Sequence, residues 1–173
     1  MNTFDVILVV LSRTPLWVWP LIATVLGFGV WNLWTREIAV RRLVAFPLIM
    51  LGLSLSNAIG TAAPPTLAAG MWLAAAAFGA AAGWAMTGPP LALDPARRRI
   101  TIAGSALPLL VTIAIILLRY GFGYAYGRYP ELRADPMLAL ELIGAAAFLA
   151  GITFGRYGYL GLRAMRAWKV SAA

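Results

Sequence analysis

The chain contains no cysteine and no histidine. That excludes disulfides, a thiol nucleophile, thiolate zinc sites and histidine-ligated haem or copper. It also removes the side chain that most often carries protons near neutral pH. Charge is scarce as well: only 12% of the 173 residues are Asp, Glu, Lys or Arg, where a soluble domain carries roughly 25%. With 62% hydrophobic residues and a mean hydropathy of +0.83, too little polar surface remains to cover a water-facing globule. Acids are the scarcest charge, six against 14 bases, for a net charge of +8. A basic balance can signal nucleic acid, but no compact basic domain with interleaved aromatics is present. The bases instead lie in short loops beside apolar runs, the pattern of topology control and anionic lipid headgroups. The lipid bilayer is therefore the expected partner, and nucleic acid is not.

Five apolar runs are each long enough for a membrane crossing, which takes roughly 20 residues. They cover about 15–34, 43–61, 67–87, 106–126 and 137–156. The expected fold is an all-α membrane protein, a single transmembrane domain over 1–173 built as a bundle of five helices. Trp17 and Trp19 near one end of the first run, with Trp31 and Trp34 near the other, match two headgroup-level aromatic belts. Thr3–Ser12, too short to span, reads as an interfacial helix with Thr3 as its N-cap. Arg13-Thr-Pro15 ends it. Thr35–Arg42 reads as a polar turn, and Tyr157–Ala173 as the interfacial end of the last helix. Between runs three and four, Leu91-Ala-Leu93 and Ile100-Thr-Ile102 alternate around a turn and predict a small β-hairpin. A lone hairpin is marginal and needs support from helices or headgroups.

Small residues recur at four-residue spacing: Gly52, Ser56 and Gly60; Gly79 and Gly83; Gly123 and Gly127; Gly151 and Gly155. Such faces let another helix approach closely, in the same chain or in a second copy, which makes a homodimer compatible with the sequence.

Lys and Arg positions set the orientation. The first turn holds Arg36, Arg41 and Arg42, the hairpin loop Arg97, Arg98 and Arg99, and the C-terminal region Arg156, Arg163, Arg166 and Lys169. The opposite side holds Arg13, Arg128 and Arg133. Ten against three places the N-terminus outside and the C-terminus in the cytoplasm.

Two ionisable residues fall inside runs four and five, Arg119 and Glu141. At the helical rise Arg119 lies roughly 12 Å, and Glu141 roughly 7 Å, below the outer surface. Asn57, Tyr120 and Tyr124 complete an expected polar constellation in the outer half. Two roles are open for it. As a buried clasp, the pair would cost about 3–5 kcal/mol if one partner were removed. As a cavity lining, Arg119 would receive a small anionic ligand and Glu141 would exchange a proton.

The stretches Arg13-Thr-Pro-Leu-Trp-Val-Trp19, Leu93-Asp-Pro-Ala-Arg97 through Gly104-Ser105, and Arg119-Tyr120 are similar to a group of small, uncharacterised bacterial integral membrane proteins. The resemblance implies the bacterial inner membrane and supplies no activity, cofactor or catalytic residue. Three functions follow as expectations: transport-related ligand binding in the outer-half pocket, a non-catalytic accessory subunit packed on a partner or on itself, and an intramembrane enzyme. The last would rely on Glu141 or Asp94 for acid–base work and on Arg97–Arg99 for phosphate. No paired acids, no serine beside a base and no metal set support it, so no catalytic residue is expected.

Overall fold

The computed structural model describes Leu16 and residues 18–94 and 99–171. The expected interfacial segment Thr3–Ser12, Trp17, Arg97 and Arg98 lie outside the described residues. In chain order the elements are helix α1 (Val18–Trp31), strand β1 (Arg36–Ala39), helix α2 (Val40–Ser56) and helix α3 (Pro65–Ala85). Strands β2 (Ala92–Asp94) and β3 (Arg99–Ile102), helix α4 (Leu107–Arg128), a 3₁₀ turn (Pro130–Ala134) and helix α5 (Pro136–Ser171) follow. Helices α3, α4 and α5 are long and apolar enough to cross a membrane.

Glycine sets the close approach of α3 and α5. Gly79 and Gly83 of α3 rest on the α5 backbone at Phe148 and Ile152. Reciprocally, Gly151 and Gly155 of α5 rest on the α3 backbone at Ala76 and Ala80. A Cβ at any of the four would overlap a carbonyl oxygen of the facing helix. The two glycine pairs thus meet each other within one chain, which places two main chains in dispersion contact. Phe78 stacks on Phe148 and Trp84 meets Tyr159 edge-on beside the seam, at ring separations of 6.1 and 5.1 Å. At the end away from the sheet, Ala63 and Ala68 close on Ala139 and Ile143. There Trp72 donates its indole N–H to Ser54 Oγ at 3.1 Å.

Helix α5 is the hub, packing against α2, α3 and α4. Asp135 caps its start by accepting from the N–H groups of Met137 (2.8 Å) and Leu138 (3.4 Å), with Pro136 in the first turn. The expected crossing ended at 156 with the tail as the end of the same helix, and the helix runs on to Ser171. Its 36 residues make a rod of about 54 Å at the helical rise. The continuation is amphipathic: Tyr157, Leu160, Ala164 and Trp168 form an apolar stripe against Ile38, Leu43, Leu93, Ile100 and Ile102. Arg163 lies on Tyr159, 5.4 Å from the ring centre.

The predicted hairpin is present as β2 and β3, and a third strand supports it. Strand β1, expected as a turn, pairs antiparallel with β3 in the order β1-β3-β2. Ile38 and Leu93 both sit opposite Ile100, which is fully buried. This pairing links segments separated by α2 and α3, so no local pattern announces it. Because β1 joins α1 to α2 and the hairpin joins α3 to α4, the cationic segments converge at one end.

Helix α2 is also shorter than its apolar run, which extended to 61. Its 17 residues cover about 25 Å. Near its end Ser54, Ser56 and Asn57 turn their side chains back onto Leu51, Leu53 and Ser54 carbonyls, competing with the helix ladder. Gly60 at φ 72° completes the exit. Helix α1 has 14 residues, about 21 Å. The architecture is thus three span-length helices and two shorter ones around a small sheet.

The seam predicts an inversion of helix propensity. Gly83→Ala lowers stability by about 1–3 kcal/mol through overpacking, although alanine is the better helix former by about 1 kcal/mol. Gly123→Ala, which meets open space, leaves it equal or slightly higher. Thermal unfolding in neutral detergent checks both.

Candidate functional site

Arg119 and Glu141 are both exposed, and among the described residues neither an ion pair nor a hydrogen bond joins them. Similar height along a bundle does not fix direction around each helix. On α4, Leu118, Gly121, Phe122 and Ala125 line the cleft shared with Leu138 of α5. Arg119 points about 110° away from the middle of that row at 100° per residue. Glu141 lies roughly 160° from the buried stripe Ala139, Ile143 and Ala147. Tyr120 and Tyr124 are half-buried on α4, while Asn57 is bonded to its own helix end through Leu53 and Ser54 carbonyls at 3.1 and 3.3 Å.

Of the aromatic anchors, Trp19, Trp31 and Trp34 are exposed. Of the basic set, Arg41 is exposed in the first turn of α2, where Arg42 follows it. Arg99 donates to Glu37 Oε2 at 3.4 Å in a pair more than half-exposed on both sides. Such a pair contributes about 0–1 kcal/mol.

One group of buried polar atoms lies at the sheet end, around residues that sequence reading counted only as loop charges or passed over. Arg156, 7% exposed, lies in the α5 row Ile152, Arg156, Leu160, Ala164, whose other members are buried apolar residues. Its Nη1 donates to Ser105 Oγ at 3.2 Å. Ser105 Oγ also accepts the Leu107 N–H at 3.3 Å, opening α4. The Ser105 N–H donates to the Asn32 carbonyl at 2.8 Å, and Asn32 Oδ1 accepts from Arg36 Nη2. Asn32 in turn donates its side-chain N–H to the Phe28 carbonyl at the end of α1. Gly104 permits this closure, because any Cβ there would strike the Leu33 backbone.

The chain of bonds Arg156–Ser105–Asn32–Arg36 brings two guanidiniums to one corner. Both side chains are withdrawn from solvent, Arg156 almost wholly and Arg36 in part. The Nε of each is buried without a hydrogen-bond partner. No ion pair to either arginine occurs among the described residues; Glu37, the acid next to Arg36, turns outward to Arg99. An unpaired buried donor costs about 1–3 kcal/mol, and more when charged. Chemically the corner is a donor-rich, acid-poor pocket suited to an anion. Among the described residues no group of three or more His, Cys, Asp or Glu could hold a metal ion. The signal in the sequence was the arginine four residues from Ile152 and from Leu160, inside an apolar row.

With their side chains directed apart, Arg119→Ala and Glu141→Ala should be additive. A double-mutant cycle by thermal unfolding is expected to show coupling below about 0.5 kcal/mol.

Searches among curated proteins and among solved structures find no match to this chain. A family model described as a family of unknown function, DUF6622, matches residues 2–170. That is nearly the whole length, in accord with the uncharacterised group its motifs resemble. The chain belongs to this family, DUF6622.

Proposed function

We propose that this protein is a multi-pass protein of the bacterial inner membrane that binds an anionic ligand at its cytoplasmic, sheet-bearing end. The N-terminus lies outside and the C-terminus inside, with α1 to α5 as the crossings. The apolar outer faces of the helices support immersion in lipid: Leu73, Phe78 and Leu117 are each more than half-exposed. The shorter helices α1 and α2 match the bilayer by local thinning and by placing their Trp and Arg side chains at the headgroups.

The observation that carries the reading is the Arg36–Arg156 corner, with two buried unpartnered Nε groups and no acid paired to either guanidinium among the described residues. Isolated buried charge is costly, and an arriving anion offsets that cost at the moment of binding. The transport-related pocket expected around Arg119 and Glu141 is thereby replaced by a site at the opposite end.

Two measurements test this. In neutral detergent, inorganic phosphate raises the unfolding temperature over chloride of equal ionic strength, corresponding to about 1.4 kcal/mol of added stability at ten times Kd. The rise disappears in Arg156→Gln. Equal responses of the two proteins would defeat the anion site. Because the chain has no native cysteine, single cysteines report orientation cleanly. In intact cells Glu131→Cys reacts with an impermeant thiol reagent, whereas Arg166→Cys reacts only after permeabilisation; the reverse pattern overturns the orientation.

A further inference from the structure

We infer that the ligand of this corner is an anionic lipid, its head group held by Arg36 and Arg156 and an acyl chain lying between α1, α4 and α5. This rests on the anion-binding reading above and names the class of molecule bound. Two apolar slots meet at the corner and share Phe28, Asn32, Phe46 and Tyr157 as a common wall. The inner slot, about 360 Å³, runs along α4 past Leu107, Val111, Ile115 and Ile116 and carries Arg156 at its base. From Leu107 to Ile116 it follows about 13 Å of helix. The outer slot, about 490 Å³, is walled by Trp31 and Ile49 and carries Arg36 and Glu37. Both volumes fall within the roughly 300–1,000 Å³ of ligand pockets.

The polar atoms of the inner slot are few. Besides Arg156 and Asn32 it has Thr112, Thr153 and Tyr157, and the Thr153 hydroxyl already donates to the Leu149 carbonyl at 3.2 Å. A small hydrated anion would satisfy the guanidiniums and leave the apolar walls wetted. A neutral hydrocarbon would fill the walls and leave the guanidiniums unpaired. Only an amphiphile with a negative head answers both surfaces at once, and a basic pocket between helices at the cytoplasmic face is where such heads reside. Glu37 also lines the outer slot, but its carboxylate is paired with Arg99 at 3.4 Å, so the two corner guanidiniums leave the site net positive.

The full-length protein in neutral detergent is titrated with phosphatidylglycerol, with phosphatidylcholine of the same chains, and with glycerol 3-phosphate, binding being read by native mass spectrometry and thermal shift. Phosphatidylglycerol is expected to bind at least ten-fold more tightly than either of the others. That preference is lost in Arg36→Gln and in Arg156→Gln and kept in Arg119→Gln; Arg36, only half-buried, supplies a variant that folds if the second does not. Thr112→Trp, which fills the inner slot, weakens phosphatidylglycerol binding at least ten-fold. If glycerol 3-phosphate binds as tightly as the lipid, the lipid assignment fails while the anion site stands. If the two lipids bind equally, the assignment also fails. Should phosphate and phosphatidylglycerol bind without dependence on either arginine, both readings fall together.

Discussion

The contact between the main chains of α3 and α5 is the constraint on which the rest of this fold depends. Glycines at 79, 83, 151 and 155 let the two helices approach until each touches the other's carbonyls. No side chain separates them, so the contact has little freedom to adjust, and the relative height of the helices is set within one turn. In lipid, where apolar side chains gain little by leaving their surroundings, such close dispersion contact is the main source of helix association. Every other element is positioned from this pair.

From it follows the placement of the sheet. With α5 fixed in height, its last third projects beyond the end of α3 and offers the stripe Tyr157, Leu160, Ala164 to Ile38, Ile100 and Ile102. The same helix presents Arg156 at the level where α1 ends and α4 begins. One rod therefore sets both the rigid seat of the sheet and the charged group beneath it. Arg156 contributes little to cohesion in that place; an apolar residue in its row would pack against the same neighbours without losing hydration. Its presence there is the feature of the fold that general packing physics does not favour.

Much of the helical layout was legible, because long apolar runs and four-residue glycine spacings are local patterns. The boundaries of α3 and α4 fall close to their runs, and the hairpin announced itself through Leu91, Leu93, Ile100 and Ile102. What was hidden depended on distant partners. Strand β1 has a single inward apolar residue, Ile38, and forms only because Ile100 lies opposite it. The arginines at 156, 163 and 166 broke the hydrophobic run of α5, although the 157–160–164–168 stripe carried helical periodicity past them. Ser54, Ser56 and Asn57 looked compatible with an extended crossing until their side chains turned on their own carbonyls. For Arg119 and Glu141, residue number gave only a position along each helix, and the angle around the axis decided contact. The corner at Arg36 and Arg156 joins residues 32, 36, 105 and 156, a set that no linear spacing displays.

The three-stranded sheet has a further consequence for how the chain is assembled. Its two contributing segments are separated by α2 and α3, an even number of passages in the proposed threading. Only when both passages are completed do β1 and β3 emerge in the same compartment. A nascent chain that failed to insert either helix would strand the two segments on opposite faces, with Ile38 and Ile100 unable to meet. In that threading the sheet closes only over a chain in which both helices have crossed, so its closure depends on their joint insertion.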